Sequence, residues 1–348
     1  MSTDTAAPIR PRRFNATEVM RELPMLMLRY GMVAVLVALL IVTSILDPSF
    51  LQGRNLLNIA LEWAPVGLMA IGMTYVIIAG GFDLSVGGTY AMGGVVFAAV
   101  AQHNSVWLGL AAALGAGAVI GIANGAIITR LEVNPFVATL GTGFMIRGLA
   151  LVATSATPIL VTTAGFTTLG SGKWGPVPIP VIILVVGLIV GGFVLARTVY
   201  GTGVYAVGGN DESARLAGLP TRLIRGSTYI ITGVGAALAG SILASRLSSG
   251  QANVGETIEL DVITTVVVGG TALTGGDGAM WRTAVGISIL AVLGNAFDRL
   301  QVNPFWQLVI KGAIIVFAIA ADSYAKRRSE RTRREQRQPA AAAVTTSA

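Results

Sequence analysis

Cysteine is absent from the 348 residues, which excludes disulfides, thiolate metal sites and a cysteine nucleophile. Histidine occurs once, as His103, so no HExxH pair exists, and a single imidazole at the edge of an apolar run reads as incidental. Charged residues make up 12%, against about 25% in an ordinary soluble domain. No GxxxxGK[ST] phosphate loop is present, because Gly172-Lys173 lacks both the leading glycine and the following Ser or Thr. Any use of ATP therefore falls to another chain. No nucleophile–base arrangement, metal-ligand spacing or cofactor motif is visible, so an enzyme is not expected. Nor does a line of carboxylates run through the apolar segments, as it often does in proton- or sodium-coupled carriers.

What is present is apolar. Hydrophobic residues account for 53% and the mean hydropathy is +0.73. A soluble domain of this length cannot hide so much apolar surface in one core, whereas lipid accepts it on the outer faces of helices. The apolar runs are far longer than the 4–8 residues of a buried strand. About 20 residues are needed to cross the hydrocarbon. The chain reads as all-α and polytopic, with about ten spans near residues 25–46, 56–78, 84–101, 107–129, 136–154, 179–196, 226–247, 258–273, 283–297 and 305–321. The third and eighth are interrupted by glycine clusters. The polar segment before the first run is too long and mixed in charge for a secretory signal.

The basic residues orient these spans. Of 24 Lys and Arg, 18 fall on the side shared by both termini: Arg10, Arg12, Arg13, Arg21, Arg29, Arg130, Arg197, Arg215, Arg222, Arg225, Arg282 and seven between Lys326 and Arg337. Only Arg54, Lys173, Arg246 and Arg299 fall opposite, and Arg147 and Lys311 lie inside spans. The positive-inside rule then makes both termini cytoplasmic. The high pI reflects this orientation rather than a nucleic-acid partner. The chain divides into a cytoplasmic tail over 1–24, a membrane domain over 25–322 and a basic, disordered cytoplasmic tail over 323–348.

Two segments nearly repeat. Arg130-Leu-Glu-Val-Asn-Pro-Phe136 and Arg299-Leu-Gln-Val-Asn-Pro-Phe305 share six of seven residues. Five predicted spans separate them, so they belong on opposite membrane faces, the signature of an inverted-topology repeat with a solute path between its halves. In each copy Pro suits the first turn of a new helix, and Asn134 or Asn303 its N-cap. Convergence of two loop–helix junctions on one capping solution is the alternative. In the fourth span, Gly109, Ala113, Gly117, Gly121 and Gly125 recur every fourth position, a smooth face for close helix packing; Gly187 and Gly191 form a shorter version.

Ionisable groups at membrane depth are costly. Asp83, between Gly80-Gly81 and Gly87-Gly88, marks a helix break that either lines a solute path or caps the re-entering helix. Glu62, Arg147 and Lys311 read as structural pairs or snorkelling side chains. The longest predicted cytoplasmic loop, 197–225, contains a helix of about two turns. Asn210 or Asp211 caps it, Gly218 ends it, and Leu216 and Leu219 supply its apolar contacts. Such a helix needs something to pack on.

Three motifs carry a family resemblance spanning about residues 25–325. Gly80-Gly-Phe-Asp-Leu-Ser-Val-Gly87 resembles the GGIDLSVG motif of permease subunits in ribose-type ABC importers, with Phe82 for the usual Ile. Asn134-Pro-Phe-Val-Ala-Thr-Leu-Gly141 followed by Arg147-Gly-Leu149 is similar to a second family segment. Ala206 to Leu219 resembles the family's cytoplasmic loop, and the coupling segment of the vitamin B12 importer permease. The resemblance implies a type II importer-like architecture. It implies a second permease subunit (identical or paralogous), a cytoplasmic ATPase docking on Asn210, Asp211, Glu212, Ser213, Ala214, Arg215, Leu216, Ala217 and Gly218, and a periplasmic solute-binding protein. Gly80, Gly81, Asp83, Ser85, Asn134 and Asn303 are the expected path or helix-break residues, in a bacterial inner membrane. A monosaccharide leads the solute classes, ahead of nucleosides, pentose-derived signalling sugars and branched-chain amino acids. A self-sufficient secondary carrier or channel is the competing reading.

Overall fold

The computed structural model describes residues 16–314 together with 316, 317 and 320, and side chains from residue 30 onward. The basic tail from Lys326 lies outside the described residues. In order, the helices are α1 (Ala16–Leu46), α2 (Gly53–Ile78), α3 (Val86–His103), α4 (Val106–Arg130), α5 (Pro135–Thr154), α6 (Thr168–Ser171), α7 (Ile179–Arg197), α8 (Val199–Gly209), α9 (Asp211–Leu216), α10 (Thr221–Leu247), α11 (Ile258–Val268) and α12 (Met280–Arg299). A further helix opens at residue 304. Two small antiparallel pairs join them, β1 (Ile159–Leu160) with β4 (Ser249–Gly250) and the hairpin β2 (Lys173–Trp174) with β3 (Val177–Pro178).

Among the described residues, six helices are long and apolar enough to cross a membrane: α2, α4, α5, α7, α10 and α12. The protein is thus mostly helical and polytopic. Three expectations are corrected. Helix α1 begins at Ala16 rather than near 25, because the good helix formers of the polar segment extend the helix ahead of its apolar run. The expected span 258–273 is helical only over the 11-residue α11; residues 251–257 before it are non-helical, and the turn from Gly269 onward brings the chain to the end of α2, where the Gly276 amide meets the Ile78 carbonyl. The expected loop 197–225 holds a second helix, α8, as well as the predicted short one.

Helix α10 is the centre of the bundle, and its small residues explain why. A methyl group built on Gly121 would strike the Tyr229 carbonyl oxygen, one on Gly117 that of Gly233, and one on Gly125 would lie 2.8 Å from that of Gly226. The every-fourth small face of α4 is therefore buried against α10 at Gly117, Gly121 and Gly125, and against α3 at Gly109. The same helix meets α3 where Gly240 faces the Tyr90 carbonyl, and α2 where Gly72 faces Thr232. Backbones at this distance gain van der Waals contact that lipid would not supply. Gly187 and Gly191 of α7 likewise receive Ile71 of α2, and Tyr75 donates to the Gly191 carbonyl at 2.5 Å.

The two near-identical junctions adopt one local conformation. Glu132 and Gln301, the third residue of each, are left-handed at φ 55° and 54°. Asn134 accepts from the Phe136 amide at 2.9 Å, and Asn303 from the Phe305 amide at 2.9 Å. They lie at opposite ends of the bundle. Glu132 pairs with Arg222 at the start of α10. Arg299 binds Asp47, Ser49 and Asn55 at the turn between α1 and α2.

That Arg299 clamp ties α12 to the α1–α2 turn. Bonds from the Ser49 hydroxyl and from Arg299 hold the Asp47 carboxyl at about 2, below its ordinary 3.8. A depressed carboxylate stabilises the fold above its unfolded value and loses that contribution as pH falls through its folded value. Asp47→Asn is expected to lower the melting temperature by a constant amount above about pH 4, with the difference vanishing near pH 2. Thermal unfolding of the two proteins in detergent across that range checks it.

Candidate functional site

Helix α2 ends at Ile78, and α3 starts only at Val86. The seven residues between carry the Asp83 motif. Asp83 and Ser85 are each 1% exposed. The Asp83 carboxylate accepts from the Ser85 amide at 3.0 Å and the Ser85 hydroxyl at 2.6 Å, closing an Asx turn at the head of α3. Asn124 of α4 donates to the same hydroxyl at 2.8 Å, and Thr139 of α5 accepts from the Leu84 amide at 3.0 Å. The break is thus fastened to two neighbouring helices by polar side chains, as freed backbone groups at membrane depth require.

Three turns meet at one end of the bundle, backbone against backbone. They are the α2 end at Ile78–Gly81, the α8–α9 junction at Gly208–Asn210, and the α11–α12 turn at Gly275–Gly278. The Gly276 amide donates to the Ile78 carbonyl at 2.8 Å. A methyl group on Gly208 would collide with that same carbonyl and lie 2.8 Å from that same amide, so only glycine leaves room for the hydrogen bond. Tyr205 of α8 donates to the Gly278 carbonyl at 2.8 Å. Arg225 of α10 completes the knot, donating to the Ala79 carbonyl at 3.3 Å and pairing with Asp211 at 3.3 Å.

Helix α9 grows out of this knot. Asn210 ends α8 and caps α9, accepting from the Ser213 amide at 2.9 Å. Gly218 has φ 85°, and its amide and that of Leu219 bond back to Arg215 and Ala214, a left-handed stop that glycine adopts freely. Ala214 is buried and Leu219 packs on the core, whereas Leu216 is 79% exposed. Leu216, expected as an apolar contact of the helix, points away from the core on which Leu219 packs. Arg215 and Glu212 also face outward and, among the described residues, pair with each other at 2.9 Å; exposed pairs of this kind contribute little.

The other singled-out residues are dispersed. Asn134 and Asn303 are helix caps at opposite ends of the bundle, Asn134 at the head of the helix whose Thr139 holds the Asp83 break. Lys311 pairs with Asp261 of α11 at 3.2 Å. Among the described residues Arg147 forms no ion pair but donates to the backbone carbonyls of Val254 and Gly255, at 3.2 and 2.9 Å. Sequence reasoning missed Glu259, Arg225 and the glycines at 208, 275 and 276. Their spacing carries no signal, because each acts on a segment distant in the chain. The one available hint was the density of paired glycines in predicted turns.

Comparison with known proteins follows this geometry. The family described as branched-chain amino acid transport system / permease component matches residues 55–319. The chain is 41% identical over 288 residues to the ribose import permease protein of Bacillus subtilis (strain 168), covering 82% of this chain and 89% of that protein. It is 37% identical over 305 residues to the L-arabinose transport system permease protein of Escherichia coli (strain K12), covering 87% and 93%. The ribose import permease protein of the same strain is 37% identical over 307 residues, covering 86% and 94%. No solved structure matches. A helical membrane bundle matched over most of its length, by a family description and by full-length relatives alike, belongs to that permease family.

Proposed function

We propose that the chain is the transmembrane subunit of an ATP-binding-cassette importer for a monosaccharide of the pentose class. It sits in a bacterial inner membrane with both termini cytoplasmic and crosses it about ten times, in two inverted halves. A second permease subunit completes the pore, a cytoplasmic ATPase supplies the energy, and a periplasmic binding protein delivers the solute. The buried break at Gly80, Gly81, Asp83 and Ser85 belongs to the inner end of the path, with Asn134 and Asn303 anchoring equivalent helices of the two halves. The names of the ribose and arabinose relatives support the solute class. The like-folded junctions at opposite ends support the inverted halves.

One observation carries the reading: α9, a six-residue helix capped at both ends, holds Leu216 out at 79% exposure while its base is tied to the bundle. So short a helix is unstable by itself, and an exposed leucine on a rigid mount is what a docking partner would grip. The test is uptake into liposomes. Chain, ATPase and binding protein together are expected to accumulate pentose only with ATP. Accumulation by the purified chain alone, under an ion gradient and without ATP, would overturn the reading in favour of a secondary carrier.

A further inference from the structure

Between β4 and α11, residues 251–257 are non-helical, and they meet the middle of α5 and the first turns of α3. Arg147 lies 12 residues into α5 and 7 from its end, about 18 and 10 Å along the axis. Its two terminal nitrogens donate to the Val254 and Gly255 carbonyls. Glu259, in the first turn of α11, reaches the same place: a methyl group on Gly87 of α3 would touch its carboxylate, the Gly255 carbonyl at 3.2 Å and Arg147 Nη2 at 3.4 Å. Thr257 stands between them at φ 64°, a strained conformation for a β-branched residue, of the kind held at functional sites.

These groups do not belong in lipid. A charge facing hydrocarbon costs roughly 2.5–3.5 kcal/mol, and irregular backbone at such depth survives only inside protein or against a water-filled cavity. Both Arg147 and Glu259 are half-buried rather than enclosed. Arg147 spends none of its hydrogen bonds on Glu259, so the carboxylate keeps acceptor capacity and the guanidinium keeps unused N–H donors.

We propose that Arg147, Glu259 and the carbonyls of the 254–255 segment form a solute-contact station midway along the translocation path, facing the cleft completed by the second permease subunit. The inference rests on the importer reading above. The station has donors, acceptors and no net charge, the complement of a neutral polyhydroxylated solute. An amino acid would need its carboxylate gripped bidentately, and the end-on fork of Arg147 is already committed to two carbonyls.

The absence of cysteine makes the test direct, since an introduced thiol is unique within this chain, whose labelling is read after it is separated from its partners. In the assembled transporter, Glu259→Cys is expected to react with a charged, membrane-impermeant methanethiosulfonate, whereas Leu149→Cys, on the apolar side of α5, does not. Pentose-loaded binding protein with ATP should slow the Glu259→Cys reaction several-fold. Glu259→Gln, which keeps the volume, should cut pentose uptake about tenfold while the complex still assembles and hydrolyses ATP. An unreactive Glu259→Cys in an assembled complex, or full uptake by Glu259→Gln, would overturn the station. Protection by a branched-chain amino acid instead of a pentose would overturn its solute class. Labelling is read independently of ATP-driven accumulation, so loss of the importer reading and loss of the station are separate results.

Discussion

Leu216→Asp is expected to abolish ATP-driven uptake while leaving the protein folded and inserted. Leu216 is 79% exposed and lies outside the packed core. Substitution there should shift stability by no more than about 0.5 kcal/mol, as for other surface positions. If α9 is the ATPase handle, the same leucine sits at the centre of an interface. Truncating such an anchor typically costs 2 kcal/mol or more, on the order of 30-fold in affinity, and aspartate adds a desolvated charge. An unchanged melting temperature, a lost ATPase pull-down and uptake at background would together fix the handle. Normal uptake by Leu216→Asp would mean that the motor grips elsewhere.

Gly208→Ala and Gly209→Ala should behave oppositely although the residues are neighbours. A methyl group on Gly208 enters the space of the Gly276-to-Ile78 hydrogen bond, whereas one on Gly209 meets nothing within 4 Å. Overpacking of this kind costs about 1–3 kcal/mol, and a broken buried hydrogen bond a further 1–3 kcal/mol or so. The strain falls where α9 is rooted to the ends of α2 and α11. Gly208→Ala is therefore expected to cut uptake tenfold or more, and Gly209→Ala to leave it unchanged. Uptake rates normalised to the amount of protein in the membrane decide between them. Equal effects of the two substitutions would dissolve the three-turn junction as a working unit.

Both predictions concern contacts at different levels of legibility. The short helix was readable because its signals are local: Asn210 three residues before the amide it caps, and Gly218 at the stop. The small-residue face of α4 was readable because its period is helical, although nothing in it said that α10 would be the partner. Leu216 was readable as apolar but not as exposed, since exposure depends on which side of α9 the core lies. Asp83 showed itself as a polar residue at a glycine-flanked break. Its fastening to Asn124 and Thr139 joins positions about 40 and 55 residues away. Arg147 was visible as a costly charge, read as paired or snorkelling, whereas its partners are two carbonyls more than 100 residues away in the chain.

By itself, the sequence determined that this is a helical membrane protein and where most of its helices begin and end. Those properties follow from hydropathy and capping residues, which act over a few neighbouring residues. Only the tertiary structure decided which glycines are contact points, which polar groups share a site and that the eighth expected span is half a helix. Such contacts join segments dozens to hundreds of residues apart, and their energies depend on separations of a fraction of an ångström that no spacing along the chain encodes.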